Sequence, residues 1–173
     1  MVALETKNTI SDVLLGGVFL KNDLIVVDTR EKGHKTILKY FDKVQQDYIV
    51  SKLNYGDYQL FKNNTVVIDR KDSLLEMSHN LCNTLEHERI KREIFRAKQD
   101  GAQQFVFLIS EAKIRSLQDI KNWSSPHTKV KGETLLKIMQ TMKQKYNIKF
   151  MFCSKKNMGQ VIIKLLKGVD ENV

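Results

Sequence analysis

A chain of 173 residues with 42% hydrophobic content is the size of one soluble, globular domain with an ample core. Its formal charge of +9 and pI near 9.5 suggest a polyanionic partner, most simply nucleic acid. The cysteines, Cys82 and Cys153, lack metal-ligand spacing and read as reduced core residues of a cytoplasmic protein, with a single disulfide as the alternative.

Residues 1–22 carry no chemistry and read as an N-terminal extension, either an extra edge strand or a packing arm. The apolar run from Val13 to Leu20 contains Gly16-Gly17, follows Glu5 and Asp12, and has no Ala-x-Ala site, so neither a signal peptide nor a membrane span is expected. Leu24 to Val27 then reads as a fully buried strand running into Asp28-Thr29-Arg30-Glu31. Acidic residues just after a buried strand are where open α/β sheets place their sites, although taken by itself this cluster reads more simply as a helix N-terminus, with Asp28 or Thr29 as cap and Glu31 favouring the dipole. Ile37, Leu38, Tyr40, Phe41 and Val44 have amphipathic helical spacing, and Tyr48-Ile49-Val50 is a further short strand.

The next stretch organises the chain. Tyr58 to Phe61 and Thr65 to Arg70 are β-rich runs joined by Lys62-Asn63-Asn64, which predicts an antiparallel hairpin. Side chains alternate across a strand, so Asp69 and Lys71 share one face and Arg70 takes the other, while the hairpin returns Asp57 to the side of Asp69. Two carboxylates and an ammonium converging in this way suit a divalent cation and attack on a phosphodiester; the plainer reading is a surface ion pair at a strand end.

After Lys71 the pattern turns helical. Leu74, Leu75, Met77 and Leu81 form one apolar face. A charged helix from Leu85 to Lys98, stopped near Gly101, buries Ile90, Ile94 and Phe95 and presents Arg89, Arg92 and Arg96 as a guanidinium stripe. The interleaved Glu86, Glu88 and Glu93 make a salt-bridged solvent face the alternative to phosphate contact. Gln104 to Ile109 is another buried strand. The basic loop 124–131, with Lys129 and Lys131, is expected to face nucleic acid, and His127 within it is an ordinary exposed histidine. A helix from Gly132 to about Tyr146, a strand from Ile148 to Cys153 and a helix from Met158 to Leu166 complete an α/β chain, a mixed sheet flanked by helices on both faces.

Read together, Val27-Asp28-Thr29-Arg30-Glu31, Leu53-Asn54-Tyr55-Gly56-Asp57-Tyr58 and Val67-Ile68-Asp69-Arg70-Lys71 resemble the three successive motifs of the XPF-type structure-specific endonuclease domain. That family belongs to the restriction-endonuclease-like PD-(D/E)xK superfamily. The segment from Asn80 to Lys98 is similar to that of compact stand-alone versions from phages and bacteria, and the resemblance covers roughly residues 23–168. It implies a nuclease domain over 23–173, a restriction-endonuclease-like fold and location in the bacterial or host cytoplasm. It also implies a Mg²⁺- or Mn²⁺-dependent DNA endonuclease acting at branched or flapped DNA in replication, recombination or repair. Asp28, Asp57 and Asp69 would supply hard oxygen ligands, Glu31 would complete or orient the shell, and Lys71 would orient the attacking water and offset charge on the phosphate. Arg30 and Arg70 would position phosphate or act structurally, with Arg70 facing away from the metal, and Arg89, Arg92, Lys129 and Lys131 would meet DNA. Asp69 stands where the family usually has glutamate, Leu75 where it often has an acid, and no stretch remains to encode the tandem helix-hairpin-helix domain of many relatives. Relatives usually pair as homodimers, for which the apolar faces of the last two helices are available unless they are core. A partner subunit or DNA-binding module with little activity is the alternative.

Overall fold

The computed structural model describes Val13–Leu15, Val18–Leu20 and residues 23–168. The first two segments, β1 and β2, pair antiparallel as a sheet of their own, so they do not add an edge strand to the main sheet. The rest of the expected N-terminal arm, and residues 169–173, lie outside the described residues.

The main sheet has six strands in the order β4-β3-β5-β6-β7-β8. These are β3 (Ile25–Asp28), β4 (Tyr48–Ser51), β5 (Tyr58–Leu60), β6 (Asn63–Lys71), β7 (Gln104–Ser110) and β8 (Ile148–Cys153). β3 pairs parallel with β4 and antiparallel with β5, β5 pairs antiparallel with β6, and β6, β7 and β8 run parallel. The expected mixed α/β sheet is therefore observed. Helices α1 (His34–Lys43), α2 (Leu74–Cys82), α3 (Thr84–Gln99), α4 (Gly132–Tyr146) and α5 (Met158–Lys167) flank it.

Alternation along the central strands sorts the core into two layers. Val67, Phe105, Phe107 and Ile109 face α2, α3 and α4, where Met77, Ile90, Ile94 and Met139 cover them. Ile68, Val106 and Leu108 face the opposite way, under Phe41 of α1 and Ile162 of α5. The apolar stripes of α4 and α5 face this core, with Leu135, Met139 and Ile162 fully inaccessible and Ile138, Val161 and Leu165 half-buried. Cys82, expected in the core, is exposed at the end of α2.

Local sequence explains the starts of α2 and α3. Ser73 caps α2 by accepting from the Glu76 amide at 3.1 Å, and Asn83 caps α3 by accepting from the Leu85 and Glu86 amides at 3.0 and 3.1 Å. Two boundaries differ from expectation. Neither Asp28 nor Thr29 caps α1, which starts after Gly33 with no side-chain cap. β6 begins at Asn63, and the pairing shifts register between Tyr58 opposite Ile68 and Leu60 opposite Asn63. This irregular start is held by polar bonds: Asn63 accepts from the Thr65 amide at 3.0 Å, and Asn64 donates to the Tyr55 hydroxyl and to the Asp100 carbonyl at 2.7 Å.

Phe107 is a core residue that packs beside the site residues of β6. It lies opposite Asp69 in the β6–β7 ladder, stacks on Phe150 at 5.5 Å between centroids, and lies 5.8 Å from the Lys71 ammonium. Replacing a buried phenylalanine by alanine costs about 3–5 kcal/mol through lost burial and the cavity left behind. Phe107→Ala is expected to lower urea-unfolding stability by that amount, and a loss below about 1 kcal/mol would show that the layer refills the space.

Candidate active site

At the sheet end where β6 finishes and β5 begins lies a cleft of about 460 Å³. Asp57, Asp69 and Lys71 form one side, Arg89, Glu93 and Arg96 of α3 the other, and Arg30 and Lys32 flank it. Asp57 reaches this point because Gly56 turns the chain with φ +66°, a conformation costly for residues with a Cβ. A Cβ there would also lie 2.5 Å from Val67 Cγ1. The Asp57 amide donates to the Ile68 carbonyl at 2.7 Å, which sets Asp57 beside Asp69. Asp57 Oδ2 in turn accepts from the Arg70 amide at 2.7 Å.

The electrostatics of this end are crowded. Burial, then the charges of Asp69 and Glu31, push the Asp57 carboxyl well above the ordinary aspartate range, and the Arg70 amide and Lys71 only partly oppose them. Burial works against the charge on Lys71, but its ion pair with Asp69 and the nearby Asp57 and Glu76 outweigh it, so its pKa is raised and it remains an ammonium.

The other face of β6 carries scaffold. Arg70 points away from Lys71, as alternation requires; its Nη2 donates to Glu31 Oε1 at 2.6 Å and its Nη1 to Asp72 at 2.7 Å. The guanidinium needs the space beside Gly33, where a Cβ would sit 2.1 Å from Nη2, and the Gly33 amide also donates to Glu31 at 2.5 Å. Arg70 is thus buried and committed, which corrects its inclusion among groups free to meet DNA. Glu31 is the anchor of that guanidinium, and Glu31, Arg70 and Asp72 together line the cleft beside Asp57.

Asp28 is the second correction. It lies one strand further out, its amide donating to the Asp57 carbonyl at 2.8 Å, but its carboxylate is turned away from the cleft and saturated. Oδ1 accepts from the Arg30 amide and Nε at 2.6 and 2.9 Å, and Oδ2 from Arg30 Nη2 and the Leu53 amide at 2.9 and 2.7 Å. With Asp28 withdrawn, no group of three or more His, Cys, Asp or Glu side chains is arranged to hold an ion among the described residues. Of the carboxylates lining the cleft, Asp57 and Asp69 are the pair that adjoining strand ends set side by side. Two carboxylates with a crowded negative charge still fit a Mg²⁺-type ion, which commonly takes one or two protein carboxylates, several waters and substrate phosphate oxygens.

Of the arginine stripe, the cleft takes Arg89 and Arg96, while Arg92 is exposed outside it. Lys129 and Lys131 are exposed in the loop before α4 and do not line it either. Glu93 was hidden among surface-type charges. It is buried beside Asp69, bonded to the Gly56 amide at 2.9 Å and to Arg89 at 3.2 Å. Its only sequence signal is a position one turn from both Arg89 and Arg96.

With this geometry in view, residues 27–166 match the ERCC4 domain. The chain belongs to the ERCC4 domain family. Among solved structures it is similar to XPF from Aeropyrum pernix, with a TM-score of 0.62 at 15% identity over 86% of this chain and 66% of that one. XPF from Aeropyrum pernix in complex with DNA gives the same TM-score and identity over 84% of this chain and 64% of that one. This ERCC4 domain therefore spans about two thirds of the length of those chains and shares their fold. No curated protein matches it.

The Asp28 contacts generate a test. Burial alone would raise its carboxyl, but the bonds from the Arg30 side chain and amide and from the Leu53 amide prevail and hold it below the usual range. A depressed pKa contributes stability that is present above the unfolded value of about 4 and lost as pH falls through the lower folded value. Asp28→Asn is therefore expected to remove part of the acid-unfolding limb below about pH 4. It should also cost about 1–3 kcal/mol at pH 7 by leaving donors unsatisfied, with Mn²⁺ binding retained in calorimetry. Loss of Mn²⁺ binding at unchanged stability would return Asp28 to the metal site.

Proposed function

We propose that this ERCC4 domain is a Mg²⁺- or Mn²⁺-dependent DNA endonuclease that hydrolyses phosphodiester bonds at branched or flapped DNA in replication, recombination or repair. The observation that carries the reading is the convergence of Asp57, Asp69 and Lys71 on one face of the sheet end, in a cleft edged by Arg30, Arg89 and Arg96. Family membership and the fold shared with XPF support it.

Each residue has a role that follows from its surroundings. Asp57 and Asp69 would hold the divalent ion, which when bound supplies Lewis-acid polarisation of the phosphate and neutralises developing charge. Lys71, kept charged by Asp69, acts as a hydrogen-bond donor that orients the nucleophile and meets charge growing on the phosphate oxygens, rather than as a neutral base. Arg30 is 62% exposed and Arg89 48%, so both can exchange part of their present pairing for phosphates flanking the cut. Arg96 stands on the same wall, with a 3.4 Å bond to the Asn54 carbonyl to give up. Glu31, Arg70 and Asp72 fix the backbone beneath. The positive formal charge of the chain favours encounter with DNA at low salt.

Wild-type protein is expected to cut at least one of flap, fork and four-way-junction DNA with Mg²⁺ or Mn²⁺, but not with chelator, and faster than plain duplex or single strands. Asp69→Asn should reduce the single-turnover rate at least about 100-fold, the scale of removing a preorganised electrostatic group, with DNA affinity changed less than about threefold. Binding without metal-dependent cleavage of any substrate would leave only a DNA-binding module. For the walls, Arg89→Ala and Arg96→Ala should each weaken DNA binding across all substrates and lower the salt slope by about 1, as loss of one phosphate contact does. Arg92→Ala should change the slope much less. Equal effects at all three positions would mean that DNA follows the outer face of α3 instead of the cleft.

A further inference from the structure

Glu93 is the carboxylate that α3 brings into the cleft, and it lies outside the three successive motifs that carry Asp28, Asp57 and Asp69. Ile90, Ile94 and Ala97 bury α3 against the sheet, and this packing directs Glu93 inward with its side chain 13% exposed. One carboxylate oxygen accepts from the Gly56 amide at 2.9 Å, and the other from Arg89 Nη1 at 3.2 Å. Gly56 is the turn residue directly before Asp57, and its φ of +66° makes it the joint that aims that carboxyl. The same loop is held from the β3 side, where Leu53 donates to Asp28 and accepts from Arg30, and again from α3, where Arg96 reaches the Asn54 carbonyl. Removing the Glu93 acceptor would leave the Gly56 amide without this bond and free the joint while the helix stayed packed. A carboxylate placed next to Asp69 is costly in a partly buried site, and nothing in the packing of α3 requires it there.

We propose that Glu93 is a positioning residue: through its bond to the Gly56 amide it fixes the turn that presents Asp57, and through Arg89 it ties that turn to the wall facing the DNA phosphate. This rests on the nuclease reading for its consequence, but the anchoring itself is a property of the DNA-free protein. Glutamine preserves an acceptor for the Gly56 amide but gives up the charge and the second acceptor that Arg89 uses, whereas alanine gives up all three.

The test compares wild type, Glu93→Ala and Glu93→Gln by thermal melting, amide exchange at Gly56, calorimetric titration of DNA-free protein with Mn²⁺, and cleavage kinetics on a flap substrate. Glu93→Ala is expected to melt within a few degrees of wild type, expose the Gly56 amide, weaken Mn²⁺ binding about 10-fold and lower kcat about 10- to 100-fold with KM nearly constant, the range found for groups that orient ligands. Glu93→Gln should restore amide protection and most of kcat and Mn²⁺ affinity. If alanine leaves exchange, Mn²⁺ binding and kcat at wild-type values, Glu93 positions nothing. If glutamine is as defective as alanine in amide exchange, Mn²⁺ binding and kcat, the charge and the Arg89 link matter and the Gly56 bond does not fix the turn, which also overturns the proposal. A wild type that shows a protected Gly56 amide yet neither binds Mn²⁺ nor cuts DNA overturns the nuclease reading, and with it the consequence claimed for Glu93.

Discussion

The constraint on which the structure depends is charge balance at one end of a sheet. Carboxylates gathered in a partly desolvated space repel one another and lose hydration, so each needs a cation or strong donors. The sequence supplies them in pairs: Arg30 for Asp28, Arg70 for Glu31, Lys71 for Asp69 and Arg89 for Glu93. Asp57 has no ion pair of its own among the described residues and relies on the Arg70 amide. Its raised pKa expresses that deficit, caused first by burial and then by Asp69 and Glu31. A divalent cation between Asp57 and Asp69 would relieve it, which is why the pair is suited to metal although it comprises only two side chains.

What could be read from the sequence was whatever the period of a single element determines. Alternation alone puts Asp69 and Lys71 on one face of β6 and Arg70 on the other, and the apolar runs 104–109 and 148–153 could be little else than strands. The fate of Asp28 could not be read in that way. Whether it faces the cleft or is saturated depends on where the loop after β4 brings the Leu53 amide, a contact between residues 25 apart that no local pattern encodes. The same holds for α3. Its stripe of arginines is visible in the sequence, but which of them reach the cleft is set by how Ile90, Ile94 and Ala97 seat the helix. At about 100° per residue, that seating turns Glu93 inward, places Arg89 and Arg96 on the shoulder and leaves Arg92 outside. Phe95, which the spacing assigned to the buried side, is 61% exposed for the same reason.

The two faces of β6 divide labour in a way that bears on the departure at Asp69. Lys71 and Asp69 are two residues apart on one strand face, so their side chains stand side by side and the shorter acid still meets the ammonium. Shortening the acid by one methylene draws its oxygens back toward the sheet and away from α3. The opposite wall then carries more of the burden of closing the cleft, and the inward-turned Glu93 with its Arg89 partner stands there. On the reverse face, Arg70 joins Glu31 after β3 to Asp72 after β6, linking two motifs that are adjacent only because β5 lies between their strands. That guanidinium is buried and has ligands at both ends, so a lysine there could replace its charge but not its fork. The Arg in Asp69-Arg70-Lys71 therefore belongs to the framework that holds the flanking pair in place, and the chemistry on one side of the strand is only as well defined as the ion pairs on the other.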